Sequence, residues 1–194
     1  MATLFVDKLD PQSGTSLEIG SSGDTITIPS GATITNNGTQ TGFGGVNTPC
    51  FLAYLSANQD VSNEVLTKCA FNTEVYDVGG CYDNSSNYRF TPTTAGKYMI
   101  YGKIHMQSPG GYLSYAKNYL KFNGESSYPA MAGIQTYTAE LIDDSGIQVS
   151  QILEFDGTDD YVEMFGVGGH NQGDVRFAGV NRYYSFFGGF KIIE

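Results

Sequence analysis

The sequence lacks tryptophan, contains only two histidines and carries few positive charges. Ten lysines and arginines stand against twenty aspartates and glutamates, so the formal net charge is −10. Such a chain repels phosphate backbones and anionic membrane surfaces unless a basic patch compensates. No basic patch is visible in the sequence. We therefore expect no nucleic-acid partner.

Long hydrophobic runs are also missing. The longest apolar stretches are as short as a strand, whereas a membrane-spanning helix needs about 20 apolar residues. No basic segment leads into an apolar run after Met1, as an export signal would require. The sequence therefore predicts a soluble chain that is made in the cytoplasm and does not insert into a membrane.

Cysteine is scarce, and the spacing of the three residues indicates neither a disulfide framework nor a metal site. Cys50, Cys69 and Cys81 are an odd number at spacings that match neither a set of disulfides nor paired Cys-x-x-Cys metal ligands. We expect free thiols in a reducing compartment. A bridge between Cys69 and Cys81 stays open as the alternative, since both could lie on neighbouring strands.

Motifs of the common enzyme classes are missing as well. There is no Gly-x-x-x-x-Gly-Lys phosphate loop, no Gly-x-Ser-x-Gly elbow and no His-Glu-x-x-His zinc motif. The acidic pairs Asp143-Asp144 and Asp159-Asp160 have the oxygen ligands that calcium prefers, or the carboxylates of a glycosidase, but solvated turns are the commoner role. The sequence predicts a protein that is not an enzyme and has no cofactor, with calcium as the lesser alternative.

The residues that are abundant favour an all-β fold. The chain has 14 tyrosines, 12 phenylalanines and 25 glycines, which suit strands joined by tight turns. Turn sequences such as Asn123-Gly124 and Asp156-Gly157 separate many of the apolar segments. The predicted strands are Phe51–Ala57, Leu66–Asn72, Tyr98–Met106, Tyr115–Phe122, Ile134–Leu141, Gln148–Phe155, Tyr161–Val167 and Ser185–Ile193.

The first residues differ from the rest of the chain in their sequence pattern. Short apolar pairs recur between Ser/Gly turns and resemble the rungs of a β-repeat that must stack on neighbouring copies. A Gly-rich polar segment follows. We divide the chain into a β stem (1–35), a neck (36–48) and a globular head (49–194), with a flexible linker as the alternative for the stem. The residues expected to pack the stem are Leu17, Ile19, Ile26, Ile28 and Ile34.

Alternation along two head segments predicts which faces are buried. Tyr98, Ile100, Gly102, Ile104 and Met106 share one side of a strand, with Lys103 and His105 on the other. In the last strand both sides are apolar, which is typical of a central strand with a covered outer face. A neighbouring subunit is the natural cover.

A set of residues in the head follows a spaced motif, in the order Phe71, Asp77, Tyr82, Phe90, Gly96 and Tyr98. These residues, together with the segments Phe51–Leu55, Asp156–Glu163 and Phe187–Phe190, resemble the globular-head family of complement component q, which shares a jelly-roll fold with tumour necrosis factor. The sequence departs from the family motif in two places: it has one extra residue between Tyr82 and Phe90, and Ile100 replaces the last aromatic residue of the motif.

The resemblance implies a jelly-roll β-sandwich that assembles as a homotrimer through aromatic and aliphatic strand faces. It also implies that the outer surface and loops bind partners. The candidate contacts with a partner are Tyr112, Tyr128 and His170, the last in a Gly-rich turn. The residues expected in the core or at the trimer interface are Tyr98, Ile100, Phe186, Phe187, Phe190 and Ile192.

The N-terminal segment resembles, in composition, the corresponding parts of structural and fibre proteins from tailed phages of marine bacteria. This resemblance implies a virion protein, assembled in the host cytoplasm, that attaches through its stem to other virion proteins. The head would decorate the capsid or tail or bind a glycan or protein on the host surface. The alternative is a secreted bacterial lectin or adhesin with the same head.

Overall fold

A computed structural model describes residues 7–38, 47–136, 142–170, 173–180 and 184–193. The chain divides into two compact units, residues 1–43 and 44–194. The stem, neck and head boundaries inferred from sequence stay predictions. Within the described ranges, no helix is long and apolar enough to cross a membrane.

The second unit is built from antiparallel strands in two sheets. The strands are β1 (Cys50–Tyr54), β2 (Gln59–Val61), β3 (Thr67–Lys68), β4 (Thr73–Val78), β5 (Tyr82–Asp83), β6 (Arg89–Phe90), β7 (Gly96–Gln107), β8 (Leu113–Phe122), β9 (Ala130–Gln135), β10 (Asp144–Phe155), β11 (Val162–His170), β12 (Val175–Phe177) and β13 (Phe186–Lys191). Sheet A has the order β2-β12-β7-β13-β1-β4, with β10 also paired to β7, and sheet B has the order β5-β6-β11-β8-β9, with β3 also paired to β11. The all-β jelly-roll prediction is confirmed.

Two strand predictions are wrong in position. The segment Leu66–Asn72 contains only the two-residue β3, and the longer strand β4 follows it at Thr73–Val78. The reason is topological: β3 belongs to sheet B and β4 to sheet A, so residues 69–72 cross between the sheets. Strand β9 begins at Ala130 rather than Ile134, and residues 137–141 lie outside the described residues.

The core between the sheets is an aromatic stack. The Phe51 ring lies parallel to Tyr82 and Phe90, with ring centroids 4.7 and 4.4 Å away, and meets Phe187 edge-on at 5.0 Å. Phe51, Phe90 and Phe187 have no solvent exposure. Because each such ring buries a large apolar area, this cluster holds the two sheets together.

The resemblance motif has a structural explanation. The carboxylate of Asp77 accepts hydrogen bonds from the backbone N–H groups of Cys81 (3.1 Å) and Tyr82 (3.0 Å), which closes the turn from β4 to β5. The Tyr82 hydroxyl donates to the Phe71 carbonyl at 3.0 Å, and the Tyr98 hydroxyl donates to the Thr94 carbonyl at 2.7 Å. The motif therefore fixes the crossover from sheet A to sheet B.

The three cysteines are free thiols, as expected, so the alternative Cys69–Cys81 bridge does not form. Cys69 is fully buried, and this burial raises the pKa of its thiol well above the ordinary value. The group is a core residue with no reactive thiolate.

In one chain, the described residues 7–38 form turns but no strand. Backbone hydrogen bonds from Asp24 to Ser21 and from Ala32 to Pro29 close two turns where Ser-Ser-Gly-Asp and Pro-Ser-Gly occur. The β stem stays a prediction. The apolar side chains expected to pack it are about half exposed: Leu17 (45%), Ile19 (60%), Ile26 (60%), Ile28 (48%) and Ile34 (58%).

Candidate interaction surfaces of the head

The outer face of sheet A, meaning the side that points away from the core, is built around β13. This strand lies between β7 and β1, as expected of a central strand. Its register sets Phe186 beside Lys103 and Phe190 beside Met99. Because side chains alternate along a strand, Phe187 points into the core instead.

Apolar side chains cover the part of this face around β13 and β1, where Lys103 lies over Phe186 with its Nζ atom 5.5 Å from the ring centroid. Three side chains lie at the two margins of this apolar part: Tyr76 (42% exposed), Val78 (49%) and Ile152 (52%). The apolar residues between the margins are half-buried. We call this surface the apolar face. Its members, placed by strand register, are Cys50, Leu52, Tyr54, Tyr76, Val78, Met99, Tyr101, Ile152, Phe186 and Phe190.

Tyr101 lies at the centre of the apolar face. Its ring centroid is 6.3 Å from Phe186 and 6.5 Å from Phe190. A Cβ atom at Gly188 would come within 2.8 Å of the Tyr101 ring, so only glycine leaves room for this ring to lie across β13. Burial, followed by the effect of Tyr76, raises the pKa of the Tyr101 hydroxyl to about 12.

The residues expected in the core or interface separate into two groups. Tyr98, Ile100 and Phe187 are fully buried between the sheets. Phe186 and Phe190 lie on the apolar face, and Ile192 is half-buried just after β13, with its N–H donating to the Lys97 carbonyl. Their part in a trimer stays a prediction.

The outer face of sheet B has a different composition. It carries Lys117 and Lys121 on β8, Lys68 on β3 and Arg89 on β6, which are four of the ten cationic residues in the chain. Phe165 of β11 and Tyr115 and Tyr119 of β8 lie among them by register. We call this surface the cationic face.

Each cation of this face lies over an aromatic ring. The Lys121 and Lys68 Nζ atoms are 5.1 and 5.9 Å from the centroid of the Phe165 ring. Lys117 Nζ is 5.3 Å from the Tyr115 ring, and the Arg89 guanidinium is 4.3 Å from the Tyr161 ring. These distances are within the range of cation–π attraction, which fixes charges and rings relative to one another.

Three carboxylates lie on or near the cationic face. Glu163 is buried and pairs with Lys68 at 2.5 Å. Asp83 accepts hydrogen bonds from Ser85, Ser86 and Asn87, which hold the pKa of its carboxyl far below the ordinary value. Glu64 lies near Tyr115, whose pKa is raised mainly by burial and then by this carboxylate. Four cations stand against three carboxylates here, whereas acidic residues outnumber basic ones two to one in the whole chain.

Two of the three residues expected to contact a partner are accessible. Tyr112 is 42% exposed, and Tyr128 is 36% exposed with its ring 4.7 Å from that of Tyr119, at the margin of the cationic face. Their role stays a prediction.

His170 is only 6% exposed. It ends β11, so its predicted position in a turn is wrong, and its role in partner contact stays a prediction. Asn63 brackets its backbone with two hydrogen bonds, at 2.7 Å to the N–H and 3.0 Å to the carbonyl. A Cβ atom at Gly111 would come within 2.0 Å of its Nε2 atom, so the ring is covered by the loop before β8.

The acidic pairs suggested as calcium ligands are separated. Asp159 and Asp160 meet Asp156 in the turn between β10 and β11, where carboxylate oxygens lie within 4.8 Å of one another. Asn123 and the Asp156 N–H donate to Asp160 at 2.6 and 2.8 Å. The other pair is elsewhere, with Asp144 3.3 Å from His105. Neither the absence of a cofactor nor calcium is tested, and both stay predictions.

No family model matches the sequence, and no curated protein sequence is significantly similar to it. Among solved structures, the globular domain of zebrafish complement 1qA aligns with a TM-score of 0.51 and 12% identity, covering 75% of this chain and 98% of that one. Murine APRIL aligns with a TM-score of 0.51 and 9% identity, covering 74% and 99%. The head therefore has the jelly-roll fold of complement q heads and tumour necrosis factor.

Proposed function

We propose that the protein is a homotrimeric virion structural protein of a tailed phage, a fibre or a capsid or tail decoration. Its head serves binding to a surface or host receptor, its N-terminal segment attaches to other virion proteins, and it is not an enzyme. The apolar face carries the proposal. Monomeric proteins rarely expose a large contiguous apolar patch, and such a patch marks an assembly surface.

The composition of the apolar face supports assembly between copies. Aromatic side chains such as Tyr101 and Phe186, together with aliphatic Ile152, are typical of the dehydrated centre of an oligomer interface. Closed symmetric rings are the usual form of homo-oligomers. Three copies are favoured because the resemblance to complement q heads implies a trimer.

The N-terminal segment supports attachment within a larger particle. Its apolar pairs, such as Ile26 and Ile28, are about half exposed in a single chain, and stacking of copies would cover them. Its composition resembles that of tailed-phage fibre proteins, which favours a virion over a secreted lectin or adhesin.

Oligomeric state tests the assembly step. We expect light scattering coupled to size exclusion to give the mass of three chains at micromolar concentration. The double variant Ile152→Glu/Tyr76→Glu places charges at both margins of the apolar face and should release folded monomers. Met131→Glu is the matched control, because Met131 is 54% exposed on sheet B, and it should stay trimeric. A wild-type monomer would contradict the proposal.

Localisation tests the virion step. We expect imaging of intact particles from infected cells to show trimeric density that disappears when the coding sequence is deleted. Growth medium sampled before lysis should contain none of the protein. Release from uninfected, intact cells would support the secreted lectin or adhesin instead.

A further inference from the structure

We propose that the cationic face of sheet B binds a polysaccharide that carries carboxylate groups, such as a polyuronate on a cell surface. This inference deepens the proposed attachment function and rests on it for the setting in which the ligand is met. Binding and assembly are measured separately, so that one can fail while the other holds.

Charge complementarity is the first argument. Lys68, Arg89, Lys117 and Lys121 gather on one face of a chain whose formal net charge is −10. Such a local excess of positive charge attracts anions even when the whole molecule is acidic. The face therefore favours a negatively charged partner.

The aromatic rings identify the partner as a carbohydrate. Phe165 lies beneath Lys68 and Lys121, and Tyr115 lies beside Lys117. An aromatic ring packs against the apolar C–H face of a sugar, and a tyrosine hydroxyl adds a hydrogen bond at the wet edge. Small inorganic anions or densely charged peptides would not require rings placed between the cations.

The spacing of the cations favours carboxylates over dense sulfation. Lys117 and Lys121 are four residues apart on β8, which places them about 13 Å apart along the strand. One cation of the four, Lys68, already pairs with Glu163. A surface with positive charges spread along the sheet, each over an aromatic ring, suits a polymer in which single carboxylates alternate with sugar faces.

The position of the face in the fold leaves it available in an assembly. The apolar face belongs to sheet A and the cationic face to sheet B, on opposite sides of the shared core. Assembly through the first surface leaves the second exposed. Three copies would present three such faces, so that weak single contacts add up on a polymer.

Calorimetry and surface-immobilised glycan binding on the full-length protein test the proposal. The probes are polygalacturonate, the same polymer with its carboxylates methyl-esterified, heparin, and neutral dextran. We expect binding to polygalacturonate that weakens as salt rises, because exposed charge interactions are screened. The ester and dextran should bind at least about tenfold more weakly, which corresponds to about 1.4 kcal/mol.

Two variants assign the binding to the cationic face. Lys117→Gln/Lys121→Gln should weaken polygalacturonate binding about tenfold or more, and Phe165→Ala should weaken it without any change in charge. The control Lys8→Gln/Lys97→Gln removes the same charge elsewhere and should bind as the wild type does. Light scattering confirms that each variant assembles as the wild type does.

Several outcomes would overturn the proposal. These are equal binding to the esterified polymer, binding to heparin without binding to polygalacturonate, and an equal loss of affinity in the control variant. Full binding by the assembled Phe165→Ala variant would refute the role of the rings.

Discussion

The two outer faces of the head differ in chemistry although they cover the same core. On sheet A, Tyr101, Phe186 and Phe190 form an apolar surface, whereas on sheet B, Lys117 and Lys121 stand between aromatic rings. Alternation along each strand separates the inward residues from the outward ones, so the core leaves the outward chemistry free to vary. One sandwich therefore carries a surface suited to assembly on one side and a surface suited to recognition on the other.

Removing the shared core should abolish both properties and is the largest effect expected. Phe51→Ala deletes a fully buried ring that stacks on Tyr82 and Phe90. We expect a loss of about 3–5 kcal/mol in the free energy of unfolding, since large-to-small changes in a core leave a cavity. Urea denaturation at fixed protein concentration measures it.

The matched control for this change is Phe165→Ala on the cationic face. The Phe165 ring is half-buried on the outer side of sheet B, where it contacts lysine side chains and takes no part in the packing between the sheets. We expect a loss of about 1 kcal/mol, from the reduced burial alone. Equal losses for the two variants would show that the outer face of sheet B is part of the core, which would break the distinction between interior and exterior.

Alkaline pH should act on the apolar face through Tyr101. The pKa of Tyr101 is raised to about 12, from an ordinary value of 10.0. Its neutral form is therefore favoured in the folded chain, so its stabilising contribution is complete below pH 10 and is lost as the pH rises towards 12. We expect urea denaturation at fixed protein concentration to show a fall in the free energy of unfolding within this range, because ionisation places a charge on an apolar surface.

Two variants separate the faces in this experiment. Tyr101→Phe cannot ionise at this position and should keep its stability to a higher pH than the wild type. Tyr119→Phe on the cationic face removes a hydroxyl whose pKa is also raised, mainly by burial, and should have a smaller effect. An equal pH dependence of the wild type and Tyr101→Phe would contradict the buried position of the Tyr101 hydroxyl.

Local pattern was enough to predict β7 and β13, two of the strands that carry the apolar face. Alternation correctly predicted which side of β7 faces the core: Tyr98, Ile100 and Ile104 lie on that side, and Lys103 and His105 lie on the other. The apolar residues on both sides of the last strand correctly gave the central position of β13. Such predictions succeed because alternation is a property of one strand and needs no knowledge of its neighbours.

The cationic face was not predicted, because no basic patch is visible in the sequence. Lys68, Arg89 and Lys121 are far apart in sequence and meet only because β11 pairs with β3, β6 and β8. One local pattern contained part of the answer: in β8, tyrosines and lysines alternate on one side of the strand from Tyr115 to Lys121. The rest depends on sheet order.

His170 was misplaced for a related reason. Its neighbours Gly168 and Gly169 are typical of a turn, but in the structure they continue β11. A Cβ atom at Gly168 would come within 2.9 Å of Val175, and one at Gly169 within 2.2 Å of Tyr115. These glycines serve close packing, which a single sequence does not distinguish from chain reversal.

The substitution Glu163→Gln should lower the free energy of unfolding and raise the affinity for polygalacturonate. This buried carboxylate pairs with Lys68 and lies by register between Arg89 and Lys121. Glu163→Gln removes the negative charge among these cations. We expect a loss of about 1 kcal/mol in the free energy of unfolding, because a charge-assisted hydrogen bond is weakened. Polygalacturonate binding should strengthen about two- to fivefold, since Lys68 would then pair with a ligand carboxylate at the surface, and an exposed pair contributes about 0.2–1 kcal/mol.

Urea denaturation and calorimetry on the same samples measure the two effects of Glu163→Gln. Glu125→Gln, an equal change of charge in the exposed loop between β8 and β9, is the control and should alter neither quantity. If Glu163→Gln weakened binding, the carboxylate would be orienting Lys68 towards the ligand rather than neutralising it. The cationic face would then depend on the geometry of this ion pair more than on its excess of positive charge.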